Sequence, residues 1–138
     1  MGRKKARDNA FKCIYQFDFI EKGNIDSINN ILKFCYEENE NADDEKEYIE
    51  NTVKGVNNNI QKIDEIILSK LKDWSIGRIA KIDLAILRLA TYELLYTDIP
   101  PKVVINEAVE LSKEYGDDNS SSFVNGVLAK IIEDKSKG

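Results

Sequence analysis

The chain has 138 residues, a length typical of one domain, and 42% of them are hydrophobic, which is enough for a substantial core. The formal net charge is -5. Because the chain has no histidine and its two cysteines lack metal-ligand spacing, its sequence excludes a zinc site and a cysteine–histidine pair. We expect one domain over residues 1–138, no metal and no cofactor, with Cys13 and Cys35 as buried thiols.

Neither an apolar run of membrane-spanning length nor a signal segment is recognisable in the sequence. Unpaired cysteines fit a reducing compartment, so we expect a cytoplasmic protein without membrane contact. Only two prolines and seven glycines occur, and alanine, leucine, isoleucine, lysine and glutamate are found throughout. This composition favours an all-α fold.

Helical spacing over residues 6–20 predicts a first helix with two apolar faces. The expected core face consists of Ala6, Ala10, Cys13, Phe17 and Ile20. The opposite face carries Arg7, Phe11, Tyr15 and Phe19. The second face is therefore basic at its start and aromatic beyond, and we expect it to be a binding surface.

The middle of the chain predicts two or three further helices. Asp26 is placed to cap the second helix, whose apolar positions are Ile28, Ile31, Leu32 and Cys35. Residues 37–47 carry seven carboxylates against one lysine, which favours a solvated loop leading into a helix N-terminus over an acidic docking site. Residues 43–72 form either one long bent helix or two helices that break at the asparagines 57–59. The stripe in this region is Ile49, Val53, Val56, Ile60, Ile63, Ile66, Ile67 and Leu71.

Three more helices are predicted in the second half. One runs from about Ile79 to Tyr96 and ends at the segment DIPP, because proline lacks a backbone donor. Pro101 is placed to begin the next helix and Gly116 to end it. A last helix follows the segment DDNSSS. The expected buried positions are Ile79, Ile82, Ile86, Leu89 and Ala90, then Val104, Ile105, Ala108, Leu111 and Tyr115, and finally Val124, Leu128, Ile131 and Ile132.

Phe123 does not fit the buried stripe of the last helix. It lies about 140 degrees round the helical wheel from Leu128, on the same side as Lys130. The three residues before it are Ser120, Ser121 and Ser122. Hydroxyls at a helix start suit a phosphate, and an exposed ring suits an unpaired base. The alternative is that Phe123 packs against a neighbouring helix.

Glu93 lies in the middle of the apolar stripe of its helix, where a carboxylate needs partners. Amides or a hydroxyl at the start of a neighbouring helix would make it a structural acceptor, and the alternative is a catalytic acid. Without histidine, a paired acid of clear spacing or a glycine-rich phosphate loop, catalysis has little to build on. We therefore expect no enzyme.

The N-terminal segment GRKKAR is unusual in an acidic chain. Its four basic residues, within five positions, are Arg3, Lys4, Lys5 and Arg7. Such a run is often a solvated tail. A local basic patch on an acidic protein also suggests selective contact with a polyanion, and here it shares a helix face with Phe11 and Tyr15.

Several segments in chain order carry a resemblance to a known family: RKKARDNAFKCIYQ, then RIAKIDLAILRLATYELLY with DIPPKVVINEAVELSKEYG, then SSSFVNGVL. Together they resemble the NusB family of bacterial transcription antitermination proteins over essentially the whole chain. The resemblance implies two three-helix bundles packed together, with about seven helices.

The resemblance also implies a function. Family members bind the boxA element of nascent ribosomal RNA leaders together with the ribosomal protein NusE, and the complex helps RNA polymerase read through terminators. Carried over by position, RNA contacts fall on Arg3, Lys4, Lys5, Arg7, Ser120, Ser121, Ser122 and Phe123, and partner contacts on Tyr15 and Asp83. The exposed face of the first helix adds Phe11 to the partner contacts, and the wheel adds Lys130 to the RNA contacts. The chain departs from many relatives at Ser122, where they have a basic residue.

Two other functional classes are open at this point. NusB-like domains also occur fused to ribosomal RNA methyltransferases, so a stand-alone relative of that RNA-binding domain is one alternative. We expect no methyltransferase itself, because the chain ends a few residues past its last helix and leaves no room for a methyl-donor domain. A non-catalytic helical adaptor without RNA contact is the other alternative. The sequence leaves open whether the protein alone is a monomer or a homodimer.

Overall fold

The fold consists of helices joined by short connections, as the all-α expectation requires. A computed structural model describes residues 2–20, 24–38, 43–71 and 76–137. Within those ranges there are seven α-helices and no strand: α1 (Gly2–Tyr15), α2 (Ile25–Glu38), α3 (Asp43–Asn58), α4 (Ile60–Ser69), α5 (Lys81–Tyr96), α6 (Pro101–Tyr115) and α7 (Ser120–Lys137). No helix in these ranges combines the length and the apolar character that a membrane span requires.

Several helix boundaries differ from the predicted ones. The first helix begins at Gly2, so the whole basic cluster is helical, and its predicted last turn is a separate 3-10 turn, Gln16–Phe19. The predicted cap Asp26 is wrong, because the Ser27 amide donates to the Asn24 side-chain oxygen at 3.1 Å and Asp26 lies within α2. The fifth helix begins two residues later than expected, after a second 3-10 turn.

The break between α3 and α4 confirms two helices rather than one bent helix. The Asn59 side-chain amide donates to the Gly55 carbonyl at 2.8 Å, and this local bond offers the backbone an alternative to continuing the helix. The first turn of α3 is acidic, as expected for that end of the helix dipole. Positions 39–42 of the predicted acidic loop lie outside the described residues.

The fifth helix is the centre of the molecule and packs against α1, α3, α4, α6 and α7. From Asp83 to Leu94 every residue except the half-buried Tyr92 is buried. A helix that is apolar nearly all round belongs in an interior, so the one-sided stripe predicted for it was too narrow. Two of its buried polar residues, Arg88 and Glu93, are paired with side chains of other helices.

Two groups of three helices pack around this centre. The first three helices contact one another on one side, the last three contact one another on the other, and α1 lies against α5 between them. Most predicted core positions are buried, and those at the edges are half-buried: Ile20, Ile66, Leu71, Ile82, Ile105, Tyr115 and Ile132. Cys13 and Cys35 are buried thiols, as expected. Hydrogen bonding to Cys35 and burial raise the pKa of Cys13 above its usual range.

Candidate nucleic-acid interface

The exposed basic residues lie in the first turn of α1 and form the basic tip, which we define as Arg3, Lys4 and Lys5. All three are exposed, and this first turn contains no acidic residue. Cations at a helix N-terminus oppose the helix dipole, so the placement does not stabilise α1. Positive side chains beside the unpaired amides of a helix start make this tip suitable for an anion.

Arg7 lies inside the fold, which corrects the prediction that it extends the exposed basic strip. It is 5% exposed, and its guanidinium donates to both carboxylate oxygens of Glu93, at 3.1 and 3.2 Å. Glu107 approaches it on the other side at 3.7 Å. These carboxylates raise the pKa of Arg7 even though burial lowers it. The guanidinium is therefore engaged within the protein.

Glu93 is the buried acceptor that the sequence predicted, and its partners are now defined. Besides Arg7, the Tyr48 hydroxyl donates to it at 2.6 Å. A hydroxyl near the start of α3 agrees with the structural interpretation, whereas the buried arginine was not anticipated. Arg3 of the basic tip also lies over the Tyr48 ring, with the guanidinium carbon 4.3 Å from the ring centroid. The sequence gives no signal for these contacts, because Tyr48 is 45 residues from Arg3 and 45 residues from Glu93.

The aromatic side of α1 divides into a buried half and an exposed half. Phe11 is 2% exposed and packs on Tyr115 with ring centroids 5.0 Å apart, so the prediction that it contacts a partner is wrong. Tyr15 is half-buried and meets Phe19 edge to face at 5.3 Å. Phe19 is 59% exposed. The pair Tyr15 and Phe19 is thus the part of this face that a protein partner can reach.

Ser120 is a structural residue, which corrects its assignment to the phosphate contacts. It is 2% exposed, accepts a hydrogen bond from the Asp117 amide at 3.0 Å and donates to the Asp117 carboxylate at 3.3 Å. Gly116 approaches so closely that a side chain there would overlap Ser120. These contacts close the turn between α6 and α7.

The remaining predicted RNA contacts on α7 form the α7 patch, which we define as Ser121, Ser122, Phe123 and Lys130. Ser122 and Lys130 are exposed, whereas Ser121 and Phe123 are half-buried. Phe123 combines the two alternatives, since it packs against the edge of the core and also lines a surface cavity of about 250 Å³. The cavity is lined by Arg78, Ile79, Ala80, Asp83, Asp117, Asn119 and Phe123.

Asp83 reaches this cavity from a buried position. It is 8% exposed, and its Oδ1 has no hydrogen-bond partner among the described residues. Burial raises the pKa of Asp83, and the neighbouring Ser120 hydroxyl partly offsets this rise. A buried oxygen without a donor beside a surface opening suits a cationic or N–H group from outside.

The two candidate RNA-binding regions are separated along the α1–α6 face. The helical rise along α1 places Arg3 and Phe11 about 12 Å apart. Phe11 packs on Tyr115, the last residue of α6, and the chain then turns into α7. A cavity of about 300 Å³ beside the tip is lined by Lys4, Lys5, Arg7, Asp8, Glu107, Glu110, Leu111 and Glu114. The glutamates, spaced three and four apart on α6, could have been found from the sequence. They reduce the positive potential beside the tip.

Comparison with known proteins decides the family. The model of the NusB family matches residues 4–133. The chain belongs to the NusB family. It is 47% identical over 136 residues to the transcription antitermination protein NusB of Acetivibrio thermocellus, covering 98% of this chain and 91% of the relative. The NusB of Staphylococcus aureus strain MRSA252 is 44% identical to this chain, and the match covers 95% of this chain and 98% of that protein.

Solved structures of NusB proteins have the same fold. A solved structure of T. maritima NusB superposes on this fold with a TM-score of 0.83, and its sequence is 34% identical to this chain. The match covers 96% of this chain and 92% of that one. The crystal structure of the antitermination factors NusB and NusE in complex with dsRNA is 32% identical, with a TM-score of 0.81 over 95% and 96%. The expected family and fold are thereby confirmed. Within the part of the chain that the structure describes, no group of three or more metal-ligating side chains could hold a metal ion.

Proposed function

We propose that this chain is a transcription antitermination protein of the NusB family that binds RNA together with the ribosomal protein NusE. The observation that carries the proposal is the likeness, over 95% of the chain, to a NusB protein solved with NusE and RNA. We infer that the RNA is a boxA-type single strand of a ribosomal RNA leader and that the complex acts with RNA polymerase. A role in transcription implies a cytoplasmic location.

The residue roles follow from exposure. The basic tip supplies phosphate contacts, and Phe123 of the α7 patch offers part of its ring for a base. Ser121 and Ser122 precede it in the same turn, and Lys130 lies about two turns further along the same side of α7. Single-stranded RNA suits this arrangement because its bases can stack on aromatic rings. Arg7 and Ser120 hold α1 and α7 in place from inside. We treat residues 1–138 as one domain, because α5 packs against helices from both halves of the chain.

The partner surface is proposed at Tyr15, Phe19 and the cavity containing Asp83. The exposed ring of Phe19, with the half-buried Tyr15 against it, suits an apolar anchor of a partner. The cavity containing Asp83 suits a basic group of the same partner. Lys81 lies 5.8 Å from the Phe19 ring centroid and forms a polar rim to this surface.

Filter binding of a boxA-type RNA, with and without NusE, tests the proposal. Each phosphate neutralised on a single strand contributes about 0.7 to the slope of log affinity against log salt, so Lys4→Ala with Lys5→Ala should flatten the slope by about 1.4. The matched control removes two exposed lysines of α2 and α4, Lys33→Ala with Lys62→Ala, and should leave the slope unchanged. If the slope is unchanged in both double variants, the tip is a solvated end.

The stacking role of Phe123 is tested in the same assay. Phe123→Ala should weaken RNA binding by the NusE complex by about 1 to 3 kcal/mol, the usual contribution of one base on one ring. The salt slope should stay constant because no phosphate contact is lost. Thermal unfolding measured alongside separates the alternatives. A large loss of stability with intact binding per folded molecule would make Phe123 a core residue instead.

A further inference from the structure

The basic tip is connected to the interior through one side chain, Tyr48 of α3. Its ring carries Arg3 at 4.3 Å, within the range of a cation–π contact. Its hydroxyl donates to Glu93 at 2.6 Å, and the same carboxylate accepts both hydrogen bonds from Arg7. One tyrosine therefore links the exposed arginine of the tip to the buried one.

The hydrogen bond from the Tyr48 hydroxyl to Glu93 fixes the orientation of the Tyr48 ring. Hydrogen bonds to a charged acceptor are short and strong, and Glu93 is 1% exposed, so water does not compete for it. Burial raises the pKa of Tyr48 above its usual range, and the Glu93 charge raises it further, so the phenol stays a donor at neutral pH. Arg7 adds a second, looser contact at 5.8 Å from the ring centroid.

Arg3 has competing partners near the tip. A cavity of about 460 Å³ contains Arg3, Asp44, Glu47 and Tyr48 among its lining residues. A flexible guanidinium drawn into contact with either carboxylate would be lost to an RNA phosphate. A planar ring holds the guanidinium by its face and leaves its five N–H donors at the edge, where a phosphate binds them. Holding the side chain beforehand also lowers the entropy lost on binding.

We propose that Tyr48 is a positioning residue for RNA binding, which holds Arg3 over its ring in the orientation that meets a phosphate. The inference rests on the proposed function, since it assigns Tyr48 a role at the same basic tip. It extends the RNA-binding machinery to a residue of α3 that contacts the RNA only through another side chain.

A double-mutant cycle between Tyr48 and Arg3 tests the proposal, with RNA affinity of the NusE complex measured per folded molecule. Tyr48→Leu should weaken binding by about two- to five-fold, the equivalent of one exposed cation–π contact. The same substitution in the Arg3→Ala background should have no further effect, because the residue that it positions is absent. Tyr48→Phe keeps the ring and loses only the hydrogen bond to Glu93, so it should retain most of the wild-type affinity.

Tyr36→Leu is the matched control. Tyr36 also has a cation near its ring, Lys46 at 5.8 Å, but neither residue belongs to the basic tip or lines the cavity that contains Arg3, so affinity should not change. An equal loss from Tyr48→Leu in both backgrounds would overturn the proposal, and so would tighter binding, which would mean that the ring withholds Arg3 from RNA. If Lys4→Ala with Lys5→Ala flattens the salt slope but Arg3→Ala changes nothing, the proposal fails while the proposed function stands. If the wild-type complex binds no boxA-type RNA, both fail.

A measurement without RNA covers the case in which Tyr48→Leu does not fold. A side chain held over an aromatic ring has its methylene protons shifted upfield in NMR spectra. The Arg3 side-chain protons should show this shift in the wild-type protein and in Tyr48→Phe. Random-coil positions for these protons in the wild-type protein would overturn the proposal.

Discussion

Arg7→Met tests whether this arginine acts inside the fold or at the RNA. Methionine keeps most of the apolar stem of the side chain and removes the guanidinium, which leaves Glu93 buried with the Tyr48 hydroxyl as its remaining described hydrogen-bond donor. Removing one partner of a buried ion pair costs about 3 to 5 kcal/mol. The second carboxylate, Glu107, is partly exposed and adds about 1 kcal/mol or less. We therefore expect a loss of about 3 to 5 kcal/mol in the free energy of unfolding.

Urea unfolding followed by circular dichroism measures this loss, with the m-value unchanged if the unfolded states are alike. Adding Glu93→Gln to Arg7→Met removes the uncompensated charge, so the double variant should recover about 1 to 3 kcal/mol relative to Arg7→Met. Binding of RNA per folded molecule should keep its salt slope. A loss below about 1 kcal/mol, with a slope flattened by about 0.7, would refute the internal assignment and make Arg7 a phosphate ligand.

Three further predictions concern other parts of the molecule. Gly55→Ala should destabilise the protein, because a Cβ there would overlap the Tyr92 ring, whereas Gly126→Ala, with open space around it, should be neutral or stabilise α7 by up to about 1 kcal/mol in urea unfolding. Burial raises the pKa of Asp83 above its ordinary value of 3.8, so its ionised form costs stability at neutral pH and that cost is relieved as the pH falls through the raised pKa. Asp83→Asn should therefore stabilise the protein alone at pH 7, and a gain that persists unchanged at acidic pH would contradict this. Tyr15→Asp should weaken the NusE complex about ten-fold or more in calorimetry with the helix content intact, and an unfolded variant would instead make Tyr15 a core residue.

The periodic part of the fold could be predicted from the sequence. Burial of Ile28, Leu32 and Cys35 follows from their spacing, and Pro101 marks a helix start because its own chemistry permits little else. The cap of α2 was misassigned since Asn24 and Asp26 are both good capping residues, and the choice between them depends on the path of the chain before the helix.

The candidate site was only partly predictable, because exposure depends on what packs against a helix. The wheel correctly separated two apolar faces of α1, but it could not show that α6 covers the second face at Phe11 and leaves it open at Phe19. Arg7 and Glu93 are 86 residues apart, and no local pattern joins them. Exposure of Lys4 was predictable, whereas the contact between Arg3 and Tyr48 required the structure.

The central position of α5 has a consequence for synthesis on the ribosome. Helices α1, α3 and α4 bury part of their apolar surface against a segment that is translated after them, so these three helices leave the exit tunnel before the surface of α5 is present. Their apolar stripes stay accessible to chaperones until Lys81–Tyr96 has emerged, and the last two helices are still to come. Domains fold as units when their core is complete. The core of this nascent chain should therefore be completed late, when α5 joins segments that are distant in the sequence.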